Sequence, residues 1–257
     1  MNVFLTGASS GIGAALAREY AARGATLGLV ARRLAVLNEL VAALPGRHFV
    51  YAADVTDRDA LVAAAHQFEQ DAGGTDVVIA NAGISEGVLT EHYEDLERFR
   101  HVLETNVLAM AHTFHPFIAP MRQRRRGTLV GIASVAGIRG LPGSEAYCAS
   151  KAATISYCES LRVELKRFGV RVVTIAPGFV RTPLTARNPY KMPFLMDAAD
   201  FARAAADKIG SGTSYAVIPW QMGLVAKLLR VLPNWAFDRL FGNRPYKPRK
   251  SEPRVEP

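Results

Sequence analysis

Short, almost wholly apolar runs alternate along this chain with longer stretches in which apolar residues recur every three or four positions. The runs at 3–6, 26–31, 48–52, 77–81, 127–134, 171–176 and 215–218 read as strands. The stretches 12–23, 33–43, 58–70, 96–120, 145–168 and 198–209 read as helices. The strands carry few polar residues, as a sheet covered on both faces requires. Strand–helix alternation then predicts an α/β fold of Rossmann type: one doubly wound domain over 1–219, with a mostly parallel seven-stranded sheet. No internal repeat and no linker interrupts it.

The end of the chain has a different pattern. Residues 220–232, WQMGLVAKLLRVL, read as a helix with Val225, Leu228, Leu229 and Leu232 on one side, and Pro233 breaks it. Asn234 is placed to cap a second short helix that ends at Phe241, with Gly242 as its stop. An amphipathic helical extension is thus expected over 220–242. Residues 243–257 hold four prolines and little apolar material, and a disordered, basic tail is expected there.

Composition narrows the class. With 49% apolar and 21% charged residues in 257, the chain is globular, neither collagenous nor low-complexity. The net charge of +8 raises nucleic-acid binding, but residues 220–257 hold eight basic and three acidic side chains, or +5 of that +8. The body offers no nucleic-acid motif, and no nucleic-acid partner is expected. Cys148 and Cys158 are the only cysteines, too few for a disulfide framework. No signal segment is visible at the start, and the apolar stretch near 215–226 is too short to span a bilayer. A cytoplasmic protein is expected. The six histidines, His48, His66, His92, His101, His112 and His115, read as surface or helix residues, and no metal site is expected.

The first strand–helix turn is Thr6-Gly7-Ala8-Ser9-Ser10-Gly11-Ile12-Gly13. Gly7 permits a sharp turn, Gly11 a close approach of backbone to a diphosphate, and Gly13 close packing of helix on strand. Ser9, Ser10 and Ile12 join them around the helix N-terminus, whose free N–H groups face an anion. The second strand ends in Arg32 and Arg33, where an acid would bond the adenosine ribose of NAD. A guanidinium fork suits the 2′-phosphate of NADP instead, so NADP(H) is the expected cofactor. A solvated pair at a helix start is the plainer alternative. Asp54, followed by Val55, could accept from the adenine amino group or cap the next helix. Asn81, Ala82 and Gly83 could line the ribose.

Tyr147 and Lys151 stand at i and i+4, one turn apart on one helix face. Ser134 ends the fifth strand, thirteen residues earlier, and ligands in open α/β sheets sit beyond the carboxyl ends of strands. TGASSGIG at 6–13, NAG at 81–83, Asn106, Ser134, YCASK at 147–151 and PGFVRTP at 177–183 together resemble the short-chain dehydrogenase/reductase family, in its single-domain branch, over about residues 1–219. One departure is Ala80, where many members have a second asparagine; Asn81 remains in place.

The resemblance implies a catalytic tetrad of Asn106, Ser134, Tyr147 and Lys151. Tyr147 would exchange a proton with the substrate oxygen, Ser134 would bond that oxygen, and Lys151 would hold the nicotinamide ribose. Asn106 would anchor a water, although a polar residue bending a helix is an alternative reading. A free phenol has a pKa of ~10, and lowering it by ~3 takes about 4 kcal/mol. One cation at ~4 Å in an effective dielectric of ~20 supplies about that much; Lys151 is the expected cation, and an oxidised nicotinamide ring would add another. The loop with Pro177, Gly178, Val180 and Thr182 would meet the nicotinamide carboxamide.

The expected reaction moves a hydride between NADP(H) and a carbonyl or secondary alcohol; the alternatives are an NAD(H)-dependent dehydrogenase of the same family and an NADP-binding protein without turnover. Met192, Phe194, Leu195 and Met196, with Ile138, Leu141 and Pro142, suggest an apolar substrate or plain lid packing. Similar proteins lead to the expectation of a homodimer or homotetramer. The basic amphipathic end, 220–244, has three readings: peripheral contact with an anionic membrane, a subunit contact, or a cover for its own domain.

Overall fold

A computed structural model describes residues 1–186, 188–242, 247 and 249. The chain runs β1 (Asn2–Thr6), α1 (Gly11–Ala22), β2 (Thr26–Ala31), α2 (Leu34–Ala42), β3 (His48–Ala52), α3 (Arg58–Ala72) and β4 (Val77–Ala80). It continues through α4 (Tyr93–Leu103), a π-helical turn (Glu104–Leu108), α5 (Ala109–Arg124), β5 (Thr128–Ile132), α6 (Glu145–Lys166) and β6 (Arg171–Pro177). Then follow β7 (Val180–Arg181), β8 (Met196–Asp197), α7 (Ala198–Gly210), β9 (Tyr215–Ile218), α8 (Trp220–Val231) and α9 (Asn234–Phe241).

Seven strands form one sheet in the order β3-β2-β1-β4-β5-β6-β9, and every pairing is parallel. The pleat explains the apolar runs. Val3 and Leu5 point into one buried layer, and Phe4 between them points into the other. The first layer packs α1 and α7 on the sheet, and the second packs α3, α5 and α6. The chain leaves β1 towards β2 on one side and later returns beside it as β4 on the other. That reversal opens a crevice at the carboxyl ends of β1 and β4, where open α/β sheets bind ligands. Among the described residues no helix is long and apolar enough to cross a membrane.

The structure departs from the sequence reading at several boundaries. The expected helix over 96–120 is two helices joined by the π turn. The seventh run, 215–218, is the edge strand β9, while 180–181 and 196–197 pair as a separate short ladder. Asp57, not Asp54, caps α3: its carboxylate accepts from the Ala60 N–H at 3.0 Å. Asn234 is the first residue of α9 rather than its cap, and its side chain accepts from Arg139. Gly242 follows α9 in a right-handed conformation, so it ends the helix without the left-handed turn glycine favours. On α8, Met222 and Ala226 are buried and Val225 and Leu229 half-buried, whereas Leu228 faces out.

The tail expected to be disordered lies outside the described residues except at two positions. Lys247 donates to Ser85 Oγ at 2.9 Å, and burial pushes its pKa down to about 8. Arg249 donates from Nε to the buried Asp95 Oδ2 at 2.7 Å and from Nη2 to Glu94 Oε1 at 2.8 Å. Cys148 and Cys158 are buried free thiols.

Phe68 organises one layer. Its ring lies 5.7 Å from Phe4, 6.0 Å from Phe49 and 6.5 Å from Tyr51, centre to centre. Phe68→Ala is expected to destabilise the fold by about 3–5 kcal/mol, measured by urea unfolding.

Candidate active site

The crevice begins where β1 stops. Gly7 takes φ +68, a left-handed conformation that turns the chain away from the strand. α1 then packs so closely that a Cβ on Gly13 would sit 2.1 Å from the Gly7 carbonyl oxygen. Asn81 locks the same turn from β4: its Nδ2 donates to Thr6 O at 3.0 Å and Gly7 O at 3.3 Å. The Thr6 hydroxyl accepts in return from the Asn81 and Ala82 N–H groups at 3.2 and 3.3 Å. Asn81 therefore holds the turn as well as lining the crevice. The first N–H groups of α1 lack partners within the helix, as at any helix start, and the cradle is shaped for an anion.

Two arginines stand at the rim. Arg32 is 71% exposed and lies 3.7 Å from the Asp54 carboxylate. Arg33 donates to Ser9 Oγ at 3.3 Å, which ties the end of β2 to the glycine turn. Burial raises the Asp54 pKa, but hydrogen bonds from Thr56 and the Arg32 charge outweigh it and hold the carboxyl below its usual range.

The reactive side chains come from β5 and α6. Ser134 follows β5, and its Oγ accepts from the Ala136 N–H at 3.1 Å. Lys151 is nearly fully buried, with its ammonium donating to the Ile132 carbonyl at 2.8 Å. Its Nζ sits 5.8 Å from the centre of the Tyr147 ring. Burial pushes the Tyr147 hydroxyl up to about 12, while interaction with Ser134 pulls it down. Burial pushes Lys151 down to about 8. Burial thus dominates the Tyr147 hydroxyl, opposite in sign to the lowering expected from a neighbouring cation. Desolvation of the buried phenol sets that direction, and the Lys151 ammonium is itself desolvated and bonded to the Ile132 carbonyl.

Asn106 lies in the π turn, 1% exposed. Its Nδ2 donates to Ile84 O and Ser150 Oγ, both at 2.9 Å, and its Oδ1 accepts from Ile84 N at 2.8 Å. Its side chain fixes the segment after Asn81-Ala82-Gly83 against α6 and does not reach the crevice wall.

A family model described as short chain dehydrogenase matches residues 1–192. An uncharacterised oxidoreductase of Myxococcus xanthus is 41% identical over 243 residues, covering 91% of this chain and 93% of the relative. A short-chain dehydrogenase from Streptomyces avermitilis superposes with a TM-score of 0.76 at 25% identity, over 94% of this chain and 99% of that one. The chain belongs to the short-chain dehydrogenase family. Levodione reductase, with a TM-score of 0.78 at 25% identity, covers 86% of this chain and 97% of its own.

As a short-chain dehydrogenase the protein is an oxidoreductase, and the family uses a nicotinamide cofactor, NAD or NADP. The residues present fit such a group. One cleft of about 340 Å³ brings together the glycine turn (Gly7, Ser9, Ser10, Gly11, Ile12, Gly13) and the rim (Arg32, Arg33, Asp54, Val55). The same wall includes Asn81, Ala82 and Gly83, then Ser134, Tyr147 and Lys151, then Pro177, Gly178, Val180 and Thr182. Sequence reasoning missed His101 and Thr105, which face this cleft from α4 and the π turn, and Ile84, Leu184 and Thr185. The signal was present in part: His101 and Thr105 are four apart, on the helix face that leads to Asn106. None of the expected apolar substrate residues, Met192, Phe194, Leu195 and Met196 with Ile138, Leu141 and Pro142, is on this wall. Among the described residues no cluster of histidine, cysteine or carboxylate side chains could hold a metal.

Lys151 carries a pH signature. Its folded pKa of about 8 lies below its ordinary 10.5, so between the two the unfolded chain binds more protons and stability rises with pH. Lys151→Met is therefore expected to melt no lower than the parent at pH 7, with any advantage shrinking as the pH climbs through that window, read by calorimetry.

Proposed function

We propose that this chain is an NADP(H)-dependent carbonyl reductase or alcohol dehydrogenase acting on an apolar ketone or secondary alcohol. The observation that carries this is the meeting of Ser134, Tyr147 and Lys151 with the glycine turn on one cleft wall. A protein that only bound dinucleotide would use the turn and Lys151 but would need neither the Ser134 nor the Tyr147 hydroxyl. When bound, the nicotinamide supplies or accepts the hydride.

The chain's own residues do the rest. Ser134 donates its hydroxyl hydrogen to the substrate oxygen and stabilises the charge that develops there. Tyr147 exchanges the proton at that oxygen. Lys151, with a pKa near 8, is poised to exchange protons at physiological pH and faces the cleft one helical turn from Tyr147. Asn106 is a positioning residue, fastening the Ile84 segment to α6. Val180 and Thr182, on the same cleft wall, would meet the nicotinamide carboxamide.

The exposed Arg32 guanidinium, with Arg33 beside Ser9, supports NADP(H) over NAD(H), because both can reach a ribose 2′-phosphate near the end of β2. Ile84 and Leu184 on the wall support an apolar substrate. The exposed Leu108, at the end of the π turn, and Val163, on α6, support a homodimer or homotetramer. Two unpaired cysteines fit a reducing, cytoplasmic setting.

Tyr147→Phe is expected to lower turnover by about 10²- to 10⁴-fold while NADPH fluorescence still reports binding; retained turnover would remove Tyr147 from the mechanism. Arg32→Ala with Arg33→Ala is expected to weaken NADPH by about 10- to 100-fold more than NADH in the same titration. Equal losses for the two cofactors would refute the NADP assignment.

A further inference from the structure

α8 and α9 bury one side and leave a second, apolar side uncovered. On α8, Trp220, Leu224, Leu228 and Val231 fall along one stripe at helical spacing, opposite the buried Met222 and Ala226. Trp220 is 67% exposed, Leu228 64% and Val231 77%. On α9, Trp235 is 75% exposed and Leu240 50%, while Phe237 is buried. A helix that merely covered its own domain would present polar residues to water. This one presents tryptophan, leucine and valine, with Lys227, Arg230 and Arg239 exposed around them.

The two helices are also firmly held. Nη1 of Arg139 donates to the Leu229 and Leu232 carbonyls, both at 2.7 Å, and Nη2 donates to Asn234 Oδ1 at 3.0 Å. The same guanidinium lies 4.2 Å from the centre of the Phe237 ring. Arg230 donates back to the Ile138 carbonyl at 3.2 Å. The outward apolar side is therefore a fixed surface, anchored on the segment that follows Ser134.

We infer that this surface docks on an anionic phospholipid membrane. Three observations choose that occupant. The first is charge: Lys227, Arg230 and Arg239 stand exposed around the stripe against one exposed acid, Asp238, and anionic headgroups complement that excess. The same charge disfavours a second copy, because a two-fold contact would bring Lys227, Arg230 and Arg239 against their own equivalents. The second is residue type: both tryptophans of the chain lie on this surface, and their amphipathic rings suit the headgroup boundary. The third is length. α8 has twelve residues, too few to span a bilayer but enough to lie in its surface. Docking would bring the Ser134 side of the cleft next to the lipid.

The test mixes the full chain with vesicles of phosphatidylcholine alone and of phosphatidylcholine with phosphatidylglycerol. Tryptophan fluorescence reports only this surface. Co-sedimentation and a blue shift are expected with the anionic vesicles, weakened by high salt. Binding is expected to fall at least about tenfold in Leu224→Ser/Leu228→Ser and in Lys227→Glu/Arg239→Glu. Both variants alter exposed side chains, and unchanged circular dichroism and melting confirm that they fold. Failure to bind anionic vesicles, equal binding to both vesicle types, or binding that both variants retain would overturn the inference. So would a concentration-dependent dimer, without lipid, that Leu224→Ser/Leu228→Ser abolishes.

Discussion

The fold buries an ammonium. Lys151 sits on α6 with its Nζ on the Ile132 carbonyl, and desolvation pushes its pKa to about 8. A charge taken out of water costs free energy unless it is well paired, and one carbonyl offsets only part of that cost. The surrounding geometry makes the burial tolerable. Ile132 is the last residue of β5, so its carbonyl accepts from Lys151 at the carboxyl end of the sheet. Gly83 leaves room beside it: a Cβ there would come within 3.5 Å of Nζ. Asn106 and Ser150 pin the neighbouring backbone, which keeps that space from collapsing. Tyr147 and Ser134 then stand around the same point.

A second constraint meets the first across the sheet. The close contact of Gly13 with the Gly7 carbonyl brings the start of α1 to the carboxyl end of β1, and Asn81 ties that turn to β4. The turn and the buried lysine belong to different halves of the chain. They share a cleft because the strand order reverses between β1 and β4. Asn81, three residues before Ile84, and Asn106, which grips Ile84, connect the two halves through one short segment.

Much of this was legible in the chain. Strands buried on both faces leave runs such as VFLT and LGLVA that resist other readings, and a glycine turn after a strand has a specific shape. Tyr147 and Lys151 at i and i+4 could be placed on one face without a structure. What could not be read depends on packing between distant segments. The π turn around Asn106 exists because of its bonds to Ile84 and Ser150, which no local pattern announces. His101 looked ordinary until α4 was set against the cleft. α8 carries two apolar stripes, and periodicity alone does not say which one the body buries; Leu228 was assigned with Val225 and Leu229 and in fact faces outward. The Tyr147–Lys151 pairing is legible in the chain, whereas the desolvation that pushes both groups depends on their burial in the fold.

The Tyr147 hydroxyl is the centre of the account: burial pushes it up to about 12, so accepting an alcohol's proton would draw on the added positive charge of an oxidised nicotinamide. The direct measurement is an ultraviolet tyrosinate titration, taken as the difference between the parent and Tyr147→Phe, with and without saturating NADP⁺. The account predicts that NADP⁺ moves the Tyr147 titration from about 12 to below the ordinary 10.0. A titration that NADP⁺ leaves unmoved would contradict it.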